Sequence, residues 1–201
     1  EAGSDVASMA YYARADGDHF VPNGEKTFIS NAGIAGQYVL FAKTDPSAGR
    51  RGISAFIVEP DDIGLVVEPI QVIAPHPIGR LVFTDCRIPK GRLLGELGGG
   101  FRLAMQTLDV FRTTVGGAAL GMARRALDEG LSRALGRTQF GSPIFDKQQI
   151  MAYLADSATE LDAARLLVFR AAHARDTTEG RISAQVAMGK LFATESAQRI
   201  I

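Results

Sequence analysis

The hydrophobic pattern of this chain changes period once, and no other feature constrains the fold as much. Up to about residue 92, short runs rich in β-branched and aromatic residues alternate with turn signals. Ala10 to Arg14 leads into Asp16-Gly17-Asp18, then His19-Phe20-Val21, and Asn23-Gly24 reads as a further turn. Tyr38 to Lys43 and Ile53 to Val58 read as strands around a hairpin-like loop that carries the expected Pro and Gly. Leu65 to Ile73 and Arg80 to Ile88 continue the pattern. Strands at this spacing predict a small antiparallel sandwich or barrel. No helix-period segment interrupts them, which speaks against a doubly wound parallel sheet.

From Gly98-Gly99-Gly100-Phe101 onward the period is helical. Phe101, Ala104, Leu108, Phe111, Val115, Ala119, Met122 and Ala126 predict one apolar stripe along a long helix. Ile150, Leu154, Ser157, Leu161, Ala164, Val168 and Ala171 repeat it on a second, and a third runs from about Ile182 to the end. Long helices on short connections predict antiparallel bundle packing. The expectation is an α+β chain: a β-domain over residues 1–92, then part of an antiparallel helical bundle over 93–201. Three helices alone would expose apolar surface, so further sequence or partner subunits are expected to cover it.

Composition narrows the function. The 22 Lys and Arg balance the 22 Asp and Glu, and no long charge run is present, so nothing recruits nucleic acid or a membrane surface electrostatically. The single Cys86 excludes an internal disulfide and fits a reducing compartment, hence a cytoplasmic setting. No apolar run reaches membrane-spanning length, and the chain opens without a Met, like the middle of a longer one. His19, His76 and His173 lack metal-ligand spacing, so no metal site is expected. Cys86 with His76 has the elements of a nucleophile pair, but a small hydrophobe at a strand end is the simpler reading. Gly95 and Gly98 to Gly100 precede a helix at a spacing that fits neither phosphate-cradling loop and read as a flexible connector.

One stretch asks for chemistry. In NGEKTFISNAG, residues 23–33, a regular strand would put Phe28 and Ser30 on one face. A buried hydroxyl without a partner costs about 1–3 kcal/mol. Either Ser30 faces water, or something polar lies against that face.

Several segments together resemble one family, the flavin-dependent acyl-CoA dehydrogenases. EAGSD at 1–5 is similar to the end of its T-E-P-x-A-G-S-D loop, and NGEKTFISNAG to its N-G-x-K-x-W/F-I-S/T-N-A/G strand. RGISAFIVE, GFRLAMQTLDVFR, ALGMARRALDEGL, RTQFGSPIFDKQQI and LADSATELDAARLLVFRAA follow in the family's order and spacing, so the resemblance covers essentially all 201 residues. It implies FAD as cofactor, with Phe28 covering the flavin ring, Ser30 bonding its polar edge and Ile29 between them. Arg137, Gln139 and Phe140 match the R-x-T/Q-F motif that grips the diphosphate and adenine end of an FAD on a neighbouring subunit, where bidentate charge-assisted bonds suit an Arg. Gln148 matches a Gln near that same FAD. Ser4 matches a Ser at the acyl thioester or pantetheine arm, and Asp109 and Arg112 match residues lining the CoA channel. Arg112, odd on an apolar stripe, either meets a ligand or pairs with a carboxylate across the bundle.

The resemblance further implies α,β-dehydrogenation of an acyl-CoA thioester to the 2-enoyl-CoA. It also implies electron transfer to an electron-transfer flavoprotein, and a homo-oligomer, dimer or tetramer, whose FAD sites are shared between subunits. No catalytic residue is assigned: the family's usual base is a Glu expected beyond Ile201, and the alternative position on the first long helix is Phe111, which cannot take a proton. One departure concerns residues 72–79, VIAPHPIG, where K-M-G-x-R-x-S is usual. The Arg and Ser of that loop are lost, and His76 sits between two prolines, where an exposed loop His is favoured over a ligand contact. Two other readings stand beside the first: an oxidase-like member using O2, and a non-catalytic or truncated homologue of the same fold.

Overall fold

The computed structural model describes residues 3–73 and 75–201; Glu1, Ala2 and Ala74, which belong to the EAGSD motif and the 72–79 loop, lie outside the described residues. The chain divides into two compact units, Glu1–Met105 and Gln106–Ile201.

The first unit is a seven-stranded sheet: β1 (Tyr12–Asp16), β2 (His19–Ser30), β3 (Tyr38–Lys43), β4 (Ile53–Val58), β5 (Leu65–Ile70), β6 (Ile78–Phe83) and β7 (Ile88–Pro89). The strands are hydrogen-bonded in the order β4-β3-β1-β2-β6-β5, with β7 on β2. Every pairing is antiparallel except β1 with β3, which run parallel at Tyr12 and Lys43. Alternation along the strands sends Ala13, Phe20, Leu40, Phe56, Val58, Leu81 and Phe83 into one core with Cys86 and Ile88. The β3–β4 connection is a 3₁₀ segment, Pro46–Gly52, opened by Asp45, whose side chain accepts from the Ser47 backbone N–H at 2.9 Å. Ser54 Oγ, fully buried, is satisfied by Thr44 Oγ1 at 2.8 Å and by the Gly98 N–H at 2.9 Å.

The sequence misled at Asn23-Gly24. The dipeptide does not turn the chain; it lies inside β2, where the strand changes partner. Tyr12 pairs with Asn23, whereas Gly24 pairs with Phe83 of β6, so β2 belongs first to one half of the sheet and then to the other. Gly24 carries the corner at φ 117°, a conformation that costs it nothing for want of a Cβ. The Asn23 amide reaches across to Asp85, donating to its carboxylate at 3.1 Å and accepting its backbone N–H at 2.8 Å.

The second unit is helical. α1 (Gly100–Gly136) runs into it and is followed by α2 (Gln148–Thr177) and α3 (Ser183–Ile200). Between α1 and α2 sits a two-stranded hairpin, β8 (Thr138–Gln139) with β9 (Ser142–Pro143). α2 and α3 are antiparallel: Ala171 packs with Ile182 and Val186 near the connection, and Arg199 meets Glu160 at the far end. The α2 stripe holds as predicted, with Ala164, Val168 and Ala171 buried. The α1 stripe holds only in part: Ala119 is buried and Phe101, Ala104, Leu108 and Ala126 are half-buried. The face of α1 in the bundle is Gly116, Ala119, Leu120 and Ala123, whereas Phe111, Val115 and Met122 are exposed. Small residues win because they let backbones approach: a Cβ on Gly116 would stand 2.9 Å from Val168 Cγ2, and one on Gly189 3.2 Å from the Leu167 carbonyl oxygen.

Candidate functional site

Within β2 the regular pleat breaks where the sequence raised its question. Lys26 pairs with Leu81 and Ile29 with Gly79, so two residues of β2 face one of β6: a β-bulge at Thr27-Phe28. Phe28 stands in the left-handed region at φ 60° and is 74% exposed. The period-two rule therefore does not carry Phe28 and Ser30 to one face; the bulge re-aims the aromatic. Asn31, also at φ 60°, ends the strand, and its N–H donates to the Pro77 carbonyl at 2.8 Å.

Beside the bulge a cleft of about 480 Å³ opens, lined among others by Lys26, Ile29, Ser30, Asn31, Tyr38 and Leu81. Ser30 is exposed and offers its hydroxyl there; Phe28 is not among the lining residues. Lys26 was quoted in the motif and given no role by the sequence, yet it lines this cleft. Its Nζ lies 4.4 Å from the Tyr11 ring centroid, and burial pushes the ammonium below its ordinary pKa.

The second cluster lies on the α1–α2 connection. β8 and β9 are joined by the two-residue loop Phe140-Gly141, with φ 54° and 79°, the sign pattern of the primed hairpin turns. Phe140 is 97% exposed at the tip. A large aromatic in the left-handed region and in water is costly on both counts, by roughly 1–3 kcal/mol for the backbone alone. Arg137, Gln139 and Gln148 are exposed around the same hairpin, and the Ile144 N–H donates to the Arg137 carbonyl at 2.8 Å. Lys147 donates to Ser142 Oγ at 3.0 Å and stands 5.9 Å from the Phe140 centroid. A guanidinium, an ammonium, two amides and an aromatic face make a donor set for an anionic, partly planar ligand.

The remaining predicted residues do not join these clusters. Ser4 is exposed in a turn. Asp109 is half-buried, accepts from Ser183 Oγ at 2.7 Å and so ties α1 to the first turn of α3. Arg112 lies 3.7 Å from Asp109 on its own helix; its partner is three residues away, not across the bundle. His76 is exposed, and no cluster of three or more metal-ligating side chains exists among the described residues. Cys86 is buried in the core with its thiol pushed up to about 11, first by burial and then by Asp62, far from nucleophile chemistry. Among the described residues no helix is long and apolar enough to cross a membrane.

Two family models account for nearly all of the chain: the acyl-CoA dehydrogenase middle domain over residues 1–86 and the acyl-CoA dehydrogenase C-terminal domain over 98–201. The chain belongs to the acyl-CoA dehydrogenase family. A probable acyl-CoA dehydrogenase of Mycobacterium tuberculosis is 43% identical over 100% of this chain and 52% of its own length. The human mitochondrial short-chain specific acyl-CoA dehydrogenase is 44% identical over 98% of this chain and 48% of its own. A solved glutaryl-coenzyme A dehydrogenase in complex with glutaryl-CoA superposes with a TM-score of 0.95 at 38% identity, covering 100% of this chain and 51% of that one. Further away, at 32% and 28% identity and TM-scores of 0.94 and 0.93, stand PigA with FAD and proline and the prolyl acyl carrier protein oxidase AnaB, of which this family member covers 52% each while matching 99% and 98% of itself. The chain spans about half the length of the curated relatives it matches.

Proposed function

We propose that the complete protein dehydrogenates an acyl-CoA thioester at Cα–Cβ to the 2-enoyl-CoA, with FAD as cofactor and an electron-transfer flavoprotein as electron acceptor. The observation that carries this reading is the α1–α2 hairpin, whose exposed, strained Phe140 and free-standing Arg137 sit at the positions of the family's dinucleotide-gripping motif. The Arg137 side chain has no ion pair among the described residues and Phe140 packs into no core, and both fit a ligand that is anionic at one end and planar at the other.

The residues present fit the cofactor. The cleft beside the bulge joins apolar walls, Ile29 and Leu81, to a hydroxyl, Ser30, as a flavin ring with one polar edge requires. Phe28, on the bulge and outside the lining of that cleft, would cover the ring only from beside it. Arg137 would hold the diphosphate, with Gln139, Phe140 and Gln148 around the adenine end, on an FAD shared with a neighbouring subunit of a dimer or tetramer. When bound, FAD supplies the hydride acceptor that no side chain can provide. In the same reading Ser4 meets the thioester or pantetheine arm, and Asp109 and Arg112 line the CoA channel, Asp109 being held in orientation by Ser183. The family resemblance implies a carboxylate as the acceptor of the Cα proton; Phe111, at one position where some members carry it, cannot take a proton.

The altered 72–79 loop and the AnaB and PigA neighbours favour one second reading, an oxidase-like member that uses O2 or a carrier-bound acyl group. The test is the visible spectrum of the full-length protein during anaerobic addition of mixed acyl-CoA thioesters, followed by air. Bleaching that persists in air until an electron-transfer flavoprotein is added supports the first reading; rapid return in air alone supports the second. A colourless full-length protein overturns both. Arg137→Ala is expected to lower FAD retention at least tenfold, and unchanged flavin occupancy would remove the hairpin from the cofactor site.

A further inference from the structure

Lys26 is a half-buried cation for which no carboxylate partner is found among the described residues. Its neighbour Glu25 pairs with Arg80, and burial alone accounts for the lowered pKa of the ammonium. Its Nζ lies 4.4 Å from the centroid of the Tyr11 ring. That ring is fixed: it meets Phe83 edge-on at 5.8 Å between centroids, and a Cβ on Gly24 would come within 3.3 Å of it. The kind of partner matters. A carboxylate would cancel the charge, whereas an aromatic face stabilises a cation through its quadrupole and leaves the net positive charge in place. The backbone is equally fixed, because Lys26 is the last residue of the regular β2–β6 ladder before the bulge. Lys26, its charge un-neutralised, thus lines the cleft that contains Ile29 and Ser30.

We infer that Lys26 is a further cofactor-binding residue: it presents a fixed positive charge to an anionic planar group in the cleft, and above all to a flavin ring that has taken up electrons. The inference rests on the reading of the cleft as the flavin site. An oxidised flavin that gains two electrons and one proton carries a net negative charge on the ring, and a cation held in a partly desolvated wall favours that state. Lys26 would therefore raise the two-electron potential of the bound cofactor without touching the transferred hydrogen.

The experiment is a reductive titration of the FAD-loaded full-length protein with dithionite against a reference dye, in the wild type, Lys26→Met and Lys26→Arg. Lys26→Met is expected to lower the potential by about 30 mV or more, a tenfold change in the ratio of oxidised to reduced cofactor at two electrons. Lys26→Arg, which keeps the charge, is expected to stay near the wild type. A potential unchanged in Lys26→Met overturns the inference, and so does an equal fall in both variants, which would mark a packing role. Should Lys26→Met fail to fold, the wild type decides alone: with dimethylated lysines read by carbon NMR, the Lys26 pKa is expected to rise when the bound flavin is reduced, and no change overturns the inference. A full-length wild type that binds no FAD would instead remove the cofactor reading on which the inference stands.

Discussion

The two units bury different things. In the β unit the largest fully buried side chains are Phe56, Phe83, Ile53, Ile88 and Val58, and all of these but Ile53 belong to one core. In the helical unit the buried seam is mostly small, Ala119, Ala123, Ala164, Ala193 and Ala197 with the two close-approach glycines, and its larger buried members are Val168, Ile182 and Val186. Other large apolar residues of the unit, Phe111, Met122, Leu166, Phe169 and Leu191, lie exposed. Apolar stabilisation scales with area removed from water, so the large buried side chains of the β core contribute more apiece than the alanines of the helical seam. The difference teaches that alternation in a strand names its own core, but an apolar stripe on a helix does not say which partner it awaits.

The sharpest way to break the comparison is to hollow out each core. Phe56→Ala is expected to cost about 3–5 kcal/mol, seen as a fall in the urea midpoint. A loss no larger than that of a seam alanine change would put the two units on one footing. Next comes overpacking of the seam: Gly116→Val is expected to cost about 1–3 kcal/mol, because its side chain meets Val168 at once. Gly117→Ala, one residue along and open, should instead stabilise by roughly 0.5–1 kcal/mol through helix propensity. Equal effects in thermal melts would deny that the seam decides packing. Phe140→Gly is expected to leave stability unchanged or raise it by up to about 1 kcal/mol as left-handed strain is released, while FAD retention falls in the full-length protein. A stability loss there would mean the aromatic packs for the fold's sake. Last, Cys86 should react with a maleimide at pH 8 at least about tenfold more slowly than in the urea-unfolded chain, given its raised pKa and burial. Rapid labelling of the native protein would show the β core open on that timescale.

Much of this was legible. Tyr38–Lys43, Ile53–Val58 and the buried face of α2 follow from local pattern: the first buries alternate residues, the second is a short, mostly apolar run buried almost throughout, and the third buries a 3.6-period face. What failed was non-local. Asn23-Gly24 carries a strong turn signal, but the exchange of β1 for β6 as partner is decided by residues some sixty positions away. The bulge at Phe28 has the same origin, so the face of the aromatic could not be read from spacing. The α1 stripe is right at Ala119 and wrong at Phe111, Val115 and Met122, because close approach selects Gly116 and Ala123, which register weakly on a hydrophobicity pattern. Of the candidate site, the residue types at the hairpin were evident from the resemblance, whereas the left-handed tip that exposes Phe140 was not. Lys26 was passed over because a lysine in a strand ordinarily reaches water.

The corner of β2 also bears on how the molecule ages. Asn-Gly is the dipeptide most prone to deamidation, since a flexible chain lets the glycine nitrogen attack the asparagine side chain. Here the Asn23 amide is held at both ends by Asp85, and Gly24 is fixed in register with Phe83. The attacking geometry is reached only when the corner opens, so isoaspartate at position 23 becomes a clock that records how long the β unit has spent unfolded.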